Sequence, residues 1–207
     1  MTVYLYVFDT MADWEIAFLT AEVASARFFR KGLDPVRIER IGASTAQITT
    51  MGGMRLVPDS AFRPEAIGDD DILVLPGGER WLDAAQREVL LYANERIARG
   101  GKVAAICDAT VGLASVGALD DVPHASNARG YLSMMCPGYR GEARYVDAPA
   151  VTSGNLITAS GLAPLEFTRE VLAALDVFPP GALDAWYKLF TLKEERYFYE
   201  LMSAVAK

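Results

Sequence analysis

The chain has 207 residues, 52% of them hydrophobic, and a formal net charge of −7. That is enough apolar material for a core needing no metal or disulfide staple, and the acidic balance without any Lys/Arg block argues against a nucleic-acid surface. No apolar run approaches the roughly 20 residues of a membrane helix, and only two cysteines, 29 residues apart, accompany a single histidine, which leaves no zinc-type ligand cluster and no disulfide framework.

The elements follow in chain order. Thr2 to Phe8 alternates as a strand, with no basic leader before it. Asp13 to Arg30 has helical spacing at Trp14, Ala17, Phe18, Ala21, Val23 and Ala24, and Gly32 is the expected stop. Val36 to Ile41 is a second strand, and Gln47 to Val57 carries Gly52-Gly53 between two strand-like arms, a hairpin pattern. Asp71 to Leu75 is a continuous apolar strand broken by Pro76-Gly77-Gly78. Arg87 to Arg99 is an amphipathic helix closed by Gly100-Gly101; a strand over Lys102 to Cys107 and a helix over Ala109 to Val116 come next. Asn127 to Met135 reads as a helix stopped at Cys136-Pro137-Gly138. Short strands are expected at Tyr145-Val146, Val151 and Leu156 to Ala159, and a helix over Pro164 to Leu175 with proline at its start. After Pro179-Pro180-Gly181, Leu183 to Ala206 forms one or two aromatic-rich helices. Strands alternating with helices imply an α/β fold of three layers, a mainly parallel sheet with helices on both faces. The length fits one domain over 1–207, with 182–207 as a C-terminal helical extension.

In such sheets, sites lie beyond the carboxyl ends of the strands. Three turns come at strand ends: Asp9 to Glu15, Pro76-Gly77-Gly78 and the corner at Cys107. They converge on one crevice if their strands are neighbours. Cys107 closes the most apolar run of the chain, Val103-Ala104-Ala105-Ile106-Cys107, and passes without a spacer into Asp108-Ala109-Thr110. A side chain on such a corner is forced out of the pleat toward the amides that open the next helix, which favour a thiolate. The same geometry exposes the serine of a nucleophile elbow. A buried structural cysteine is the bland alternative.

Gly77 and Gly78 read either as a tight turn or as amides aimed at a developing oxyanion. Neither G-x-G-x-x-G nor G-K-[ST] occurs, so no phosphate loop and no nucleotide cofactor is expected. Glu15 either serves the helix dipole or reaches the crevice and exchanges a proton with Cys107, in which case its pKa is raised. His124, 17 residues after the cysteine, is the sole candidate for an imidazole base. Cys136 before Pro137 and the aromatics from Trp186 to Tyr199 read as structural.

Taken together, Phe8-Asp9 with Ala12-Asp13-Trp14-Glu15, Leu75-Pro76-Gly77-Gly78, Ala105-Ile106-Cys107, His124-Ala125-Ser126-Asn127 and Asn155-Leu156-Ile157-Thr158-Ala159 resemble the ThiJ/PfpI superfamily. That group includes the Parkinson-disease deglycase and shares a flavodoxin-like fold with class I glutamine amidotransferases. The resemblance implies Cys107 as nucleophile, Glu15 as the acid hydrogen-bonded to it, His124 near the pocket, and Gly77, Gly78 and the Asp108 amide as oxyanion donors. It also implies a homodimer, a cytoplasmic setting and a small-molecule substrate. The departures are informative. Asp108 stands where the protease and chaperone-like branches carry histidine, and no His-x-Glu pair of the amidotransferase kind exists. Asp108 also places a negative charge beside the thiol, which opposes ionisation. Three functions are compatible with these residues: a glyoxalase, deglycase or small-amide hydrolase; a redox or stress sensor built on an oxidisable Cys107; and a non-catalytic binding module.

Overall fold

In the computed structural model, described over residues 1–206, seven strands form one sheet. They are β1 (Thr2–Tyr6), β2 (Arg37–Gly42), β5 (Ser60–Ala61), β6 (Ile72–Leu75), β7 (Lys102–Ile106), β8 (Ala150–Ser153) and β9 (Leu156–Ala159). Their order is β5-β2-β1-β6-β7-β9-β8, parallel throughout except that β8 runs antiparallel to β9 at the edge. A separate ribbon pairs β3 (Ile48–Thr49) with β4 (Arg55–Leu56). The central strands explain the apolar runs: every residue from Ile72 to Leu75 and from Val103 to Ile106 is buried. Strands covered by helices on both faces have no solvent side to mark with polar residues.

Helix α1 (Asp13–Ser25) lies with α5 (Pro164–Leu175) on one face. On the other face, α2 (Arg87–Ala98) and α3 (Ala109–Ser115) pack together and against β7. The short α4 (Tyr131–Met135) follows α3, and α6 (Ala182–Leu192) and α7 (Glu195–Ala206) form a pair outside α5. The α/β three-layer architecture therefore matches the sequence pattern. The strand order reverses at β1 and β6, since β2 lies to one side of β1 and β6 and β7 to the other. The three turns singled out in the sequence leave β1, β6 and β7, which are adjacent, so their carboxyl ends meet at the switch point where open α/β sheets place ligands.

Several boundaries differ from the sequence pattern. Helix α1 ends at Ser25, not Arg30, because Ala26 adopts a left-handed φ of 49° and its N–H caps Glu22 O. The chain then folds Phe28 and Phe29 onto Phe178. The helix expected from Asn127 begins only at Tyr131, after Gly130 at φ 78°. The Gly52-Gly53 hairpin is present but with two-residue arms, and the edge strand Ser60–Ala61 has no sequence signal. The terminal segment is two helices, divided at Lys193 with φ 57°.

Helix α6 is anchored by Trp186, fully buried, whose indole Nε1 donates to Glu22 Oε1 at 3.0 Å. Glu22 is itself buried and paired with Arg27, so the indole both fills space and helps satisfy a buried carboxylate. Trp186→Ala is expected to cost about 3–5 kcal/mol through the cavity and the weakened Glu22 site, read as a lowered urea midpoint at unchanged slope. A loss below about 1 kcal/mol would show that the α6–α7 pair is held by other contacts.

Candidate active site

Cys107 sits at φ 59°, a left-handed conformation that a non-glycine residue adopts at a cost of order 1–3 kcal/mol. The surrounding bonds hold it there. Its N–H donates to Ala159 O at 2.9 Å, continuing the pairing with β9, and its carbonyl accepts from both the Thr110 N–H (3.0 Å) and the Thr110 hydroxyl (2.6 Å). Thr110 and Ser126 are buried and lie 2.7 Å apart, oxygen to oxygen. Because the Thr110 proton points at Cys107 O, Ser126 is the donor between them. The strained corner lifts the side chain out of the sheet into a half-exposed position above α3.

Glu15, in the first turn of α1, reaches the same point. It is 0% exposed. Oε2 accepts the Gly77 N–H at 2.5 Å, while Oε1 is buried without a partner beside the sulfur. A Cβ on Gly77 would lie 2.6 Å from Cys107 Cβ and 2.6–2.7 Å from both Glu15 oxygens, and one on Gly161 would lie 2.7 Å from Cys107 Sγ and 3.1 Å from Glu15 Oε1. These two positions are glycine because sulfur and carboxyl occupy the volume a methyl group would need. The remaining turn is tied in by Ala12 N–H to Gly77 O at 2.9 Å and by Trp81 Nε1–H to Pro76 O at 2.8 Å.

Burial drives the electrostatics. It raises the Glu15 carboxyl to about 7, against the opposing Gly77 hydrogen bond and the nearby Cys107 thiol. Burial first, then the charge of Glu15, pushes the Cys107 thiol up to about 12, with Asn127 pulling the other way. The helix amides that favour a thiolate in the sequence reading are thus outweighed: α3 has only seven residues, and two carboxylates flank the sulfur. As the pH rises through about 7 the pair passes from two protons to one, which stays on the sulfur.

Asn127 occupies the other flank. Its Oδ1 accepts the Gly161 N–H (2.9 Å), which fixes the amide so that Nδ2 faces Cys107 Sγ at 3.4 Å and Asp108 Oδ1 at 3.0 Å. Tyr131 Oη donates to the same Asp108 oxygen at 2.7 Å, and that oxygen lies 3.9 Å from the sulfur. The amide N–H groups of Gly78 and Asp108 have no acceptor among the described residues. Gly78 has φ 157°, and a Cβ there would meet the Phe8 ring at 2.8 Å. A cavity of about 570 Å³ opens beside Asn127, lined also by Ser126, Ser160, Leu162, Arg129 and Glu166; Glu15, Gly78, Cys107 and Asp108 do not line it.

Two sequence expectations are corrected by this geometry. His124 is not at the cysteine: it is fully buried, with Nδ1 2.7 Å from Val122 O and Nε2 2.6 Å from Tyr139 Oη. Both ring nitrogens are engaged, and burial lowers its pKa. Gly77 does not present a free amide to an oxyanion, because Glu15 has it. The sequence reading assigned no role to Asn127, Tyr131 or Gly161. Asn127 was hidden inside an expected helix. Gly161 was detectable in principle, since it follows a strand that borders β7 and so ends at the same crevice.

The sequence model of the DJ-1/PfpI family matches residues 1–174. This chain belongs to the DJ-1/PfpI family. The match ends within α5, leaving α6 and α7 outside it. A relative from Bacillus subtilis, named uncharacterized protease YoaZ, is 43% identical over 203 residues, covering 98% of this chain and 97% of its own. The ThiJ/PfpI family protein from Bacillus anthracis has a solved structure with TM-score 0.95 and 43% identity, covering 100% of this chain and 99% of its own. The DJ-1 superfamily protein Atu0886 from Agrobacterium tumefaciens has TM-score 0.77 and 34% identity, with 93% and 98% covered. The DJ-1/PfpI structure from Bacillus anthracis, which covers the whole of this chain, extends the likeness through α6 and α7.

Two outcomes follow for this DJ-1/PfpI site. Gly161→Ala is expected to slow iodoacetamide labelling of Cys107 by about tenfold or more while leaving the far-ultraviolet circular dichroism spectrum unchanged, because the new methyl group collides with the sulfur; peptide mapping at unchanged rate would place the sulfur elsewhere. The second concerns stability. The carboxyl of Glu15 stands at about 7 in the fold against 4.5 ordinarily. Its contribution is therefore fully present below about pH 4.5 and lost as pH rises through 7. Glu15→Gln, which keeps an oxygen for the Gly77 N–H, is expected to be the more stable protein at about pH 8, by about 3 kcal/mol. Equal urea midpoints there would contradict a raised carboxyl.

Proposed function

We propose that this DJ-1/PfpI protein is a cysteine-dependent enzyme acting on a small carbonyl or amide substrate, of the glyoxalase, deglycase or small-amidase type. The carrying observation is the buried Glu15 carboxyl with one unpartnered oxygen beside the sulfur of a cysteine held on a strained corner. The sulfur attacks the carbonyl carbon, a C–S bond forms, and the carbonyl π pair moves onto oxygen. The thiol proton passes to Glu15. The new oxyanion faces the Gly78 and Asp108 amides, and losing such a donor typically costs about 100-fold or more. With an aldehyde, Glu15 returns the proton to the alkoxide. With an amide, the C–N bond breaks, the leaving amine takes that proton, and water hydrolyses the thioester.

The cavity beside Asn127, about 570 Å³, is of the size that takes small molecules, and Asn127 links it to the sulfur. A cysteine–histidine protease arrangement lacks its second member. The chain's one histidine is held by Val122 and Tyr139, and Asp108 follows the cysteine. In this reading the protein works as a cytoplasmic homodimer. Leu192, Phe198, Tyr199 and Met202 leave apolar surface uncovered on α6 and α7, and a sedimentation mass of one 22.5 kDa chain would count against the dimer.

The test is a substrate screen over aldehydes, esters and amides with pH profiles. Turnover is expected to rise through a pH near 7 as Glu15 becomes able to accept the thiol proton. Glu15→Gln is expected to lose about 100-fold or more and the rising limb with it, and Cys107→Ala to lose all turnover. Activity retained by Cys107→Ala, or faster alkylation of the buried Cys136 than of Cys107, would defeat this function.

A further inference from the structure

The two carboxylates at the sulfur have opposite surroundings. Glu15 is buried, with one oxygen unpartnered. Asp108 is half-buried, and two donors converge on its Oδ1: Asn127 Nδ2 at 3.0 Å and Tyr131 Oη at 2.7 Å. These donors hold that oxygen in place, 3.9 Å from Cys107 Sγ. Among the described residues, no donor reaches Oδ2. The backbone N–H of the same residue has no acceptor either. Asp108 therefore offers a reacting carbonyl compound two unlike groups beside the nucleophile: an amide that suits an oxygen, and a fixed negative charge that repels one.

The proton logic above gives this charge no role. The pair Glu15–Cys107 completes the transfer by itself, and Asp108 only makes ionisation of the thiol harder. Asn127 and Tyr131 would also be unnecessary if the carboxylate merely faced water. Their convergence on one oxygen is what a site requires if the other oxygen is to meet a ligand group of defined polarity.

We propose that Asp108 is a specificity-determining residue that selects carbonyl compounds bearing an N–H or O–H donor on the atom next to the carbonyl carbon, such as primary amides and α-hydroxy aldehydes, over those bearing an acceptor oxygen or an alkyl group there. This rests on the cysteine-nucleophile reading. With the carbonyl oxygen on the Gly78 and Asp108 amides, the donor on the neighbouring atom meets the Asp108 carboxylate. An α-oxo aldehyde brings a second oxygen to that charge, which narrows the substrates proposed above to small amides and hydroxy aldehydes and away from the glyoxalase type. A site built to accept a hydrogen bond rejects an analogue lacking the donor far more strongly than an apolar pocket rejects a change of shape.

Chloroacetamide and chloroacetone test this without a known substrate, since they differ by –NH2 against –CH3 next to the same carbonyl. In either reaction a C–S bond forms at the methylene carbon, chloride leaves, and the thiol proton passes to Glu15. Rates at Cys107 are read by peptide mass spectrometry in the wild-type protein and divided by those of glutathione. The wild-type preference for chloroacetamide is expected to exceed that of glutathione by about tenfold or more. Asp108→Asn keeps an oxygen for Asn127 and Tyr131 and places an N–H2 group where Oδ2 stands. Its preference is expected to fall to the glutathione ratio or below. A wild-type ratio within about twofold of glutathione overturns the proposal without recourse to any variant, and so does a raised ratio that Asp108→Asn leaves unchanged. Failure of the underlying reading looks different: both reagents would then modify Cys136 before Cys107.

Discussion

The site depends on one buried hydrogen bond, from the Gly77 amide to Glu15 Oε2. It joins the turn after β6 to the first turn of α1 and leaves the second carboxyl oxygen against Cys107. Everything else at the crevice is arranged around that pair. Gly77 and Gly161 lack side chains because the carboxyl and the sulfur fill their Cβ positions. The elbow is forced to φ 59° because only that conformation turns the sulfur off the sheet toward them. Burial, not a nearby cation, sets the protonation: a carboxyl without water around it resists ionisation until about neutral pH.

This arrangement differs from a cysteine activated by a resting charge. A thiolate stabilised by a helix end or an imidazolium is reactive toward any electrophile that reaches it. Here the sulfur carries its proton until the neighbouring Glu15 carboxylate takes it, so reactivity is coupled to the protonation of Glu15. The Asn127 amide supplies the compensating donor at 3.4 Å. The corner is kept under strain by Thr110 and Ser126 from below and by β9 from the side, so a rigid scaffold bears the cost of an unfavourable backbone.

Much of this was legible in the residues. Runs such as Ile72–Leu75 and Val103–Ile106 announce central strands because burial on both faces removes any polar alternation. Proline starts α5 as its pattern predicts, and a left-handed Asp176 ends it. The convergence of Glu15, Gly77 and Cys107 was legible on the condition that their strands are neighbours, which the order β1-β6-β7 meets. What escaped was the partner each polar group selects. His124 is near the cysteine in sequence, but a side chain's direction is set by packing, and this ring is enclosed with Tyr139 and Tyr145. Gly77 looked like an oxyanion donor because nothing in a Pro-Gly-Gly string tells which acceptor its amide meets. Asn127 was masked by the helical spacing that α4 takes up only from Tyr131.

The most direct measurement of the central claim is the titration of the Glu15 side-chain carboxyl by carbon-13 nuclear magnetic resonance in protein labelled at glutamate, with Glu15→Gln used to assign the signal. A midpoint near 7, well above the 4.5 of an ordinary glutamate, is the predicted result. A midpoint at or below 4.5 would mean that Glu15 is ionised throughout the neutral range without resistance from its surroundings, and would contradict a carboxyl kept protonated up to neutral pH by burial beside Cys107.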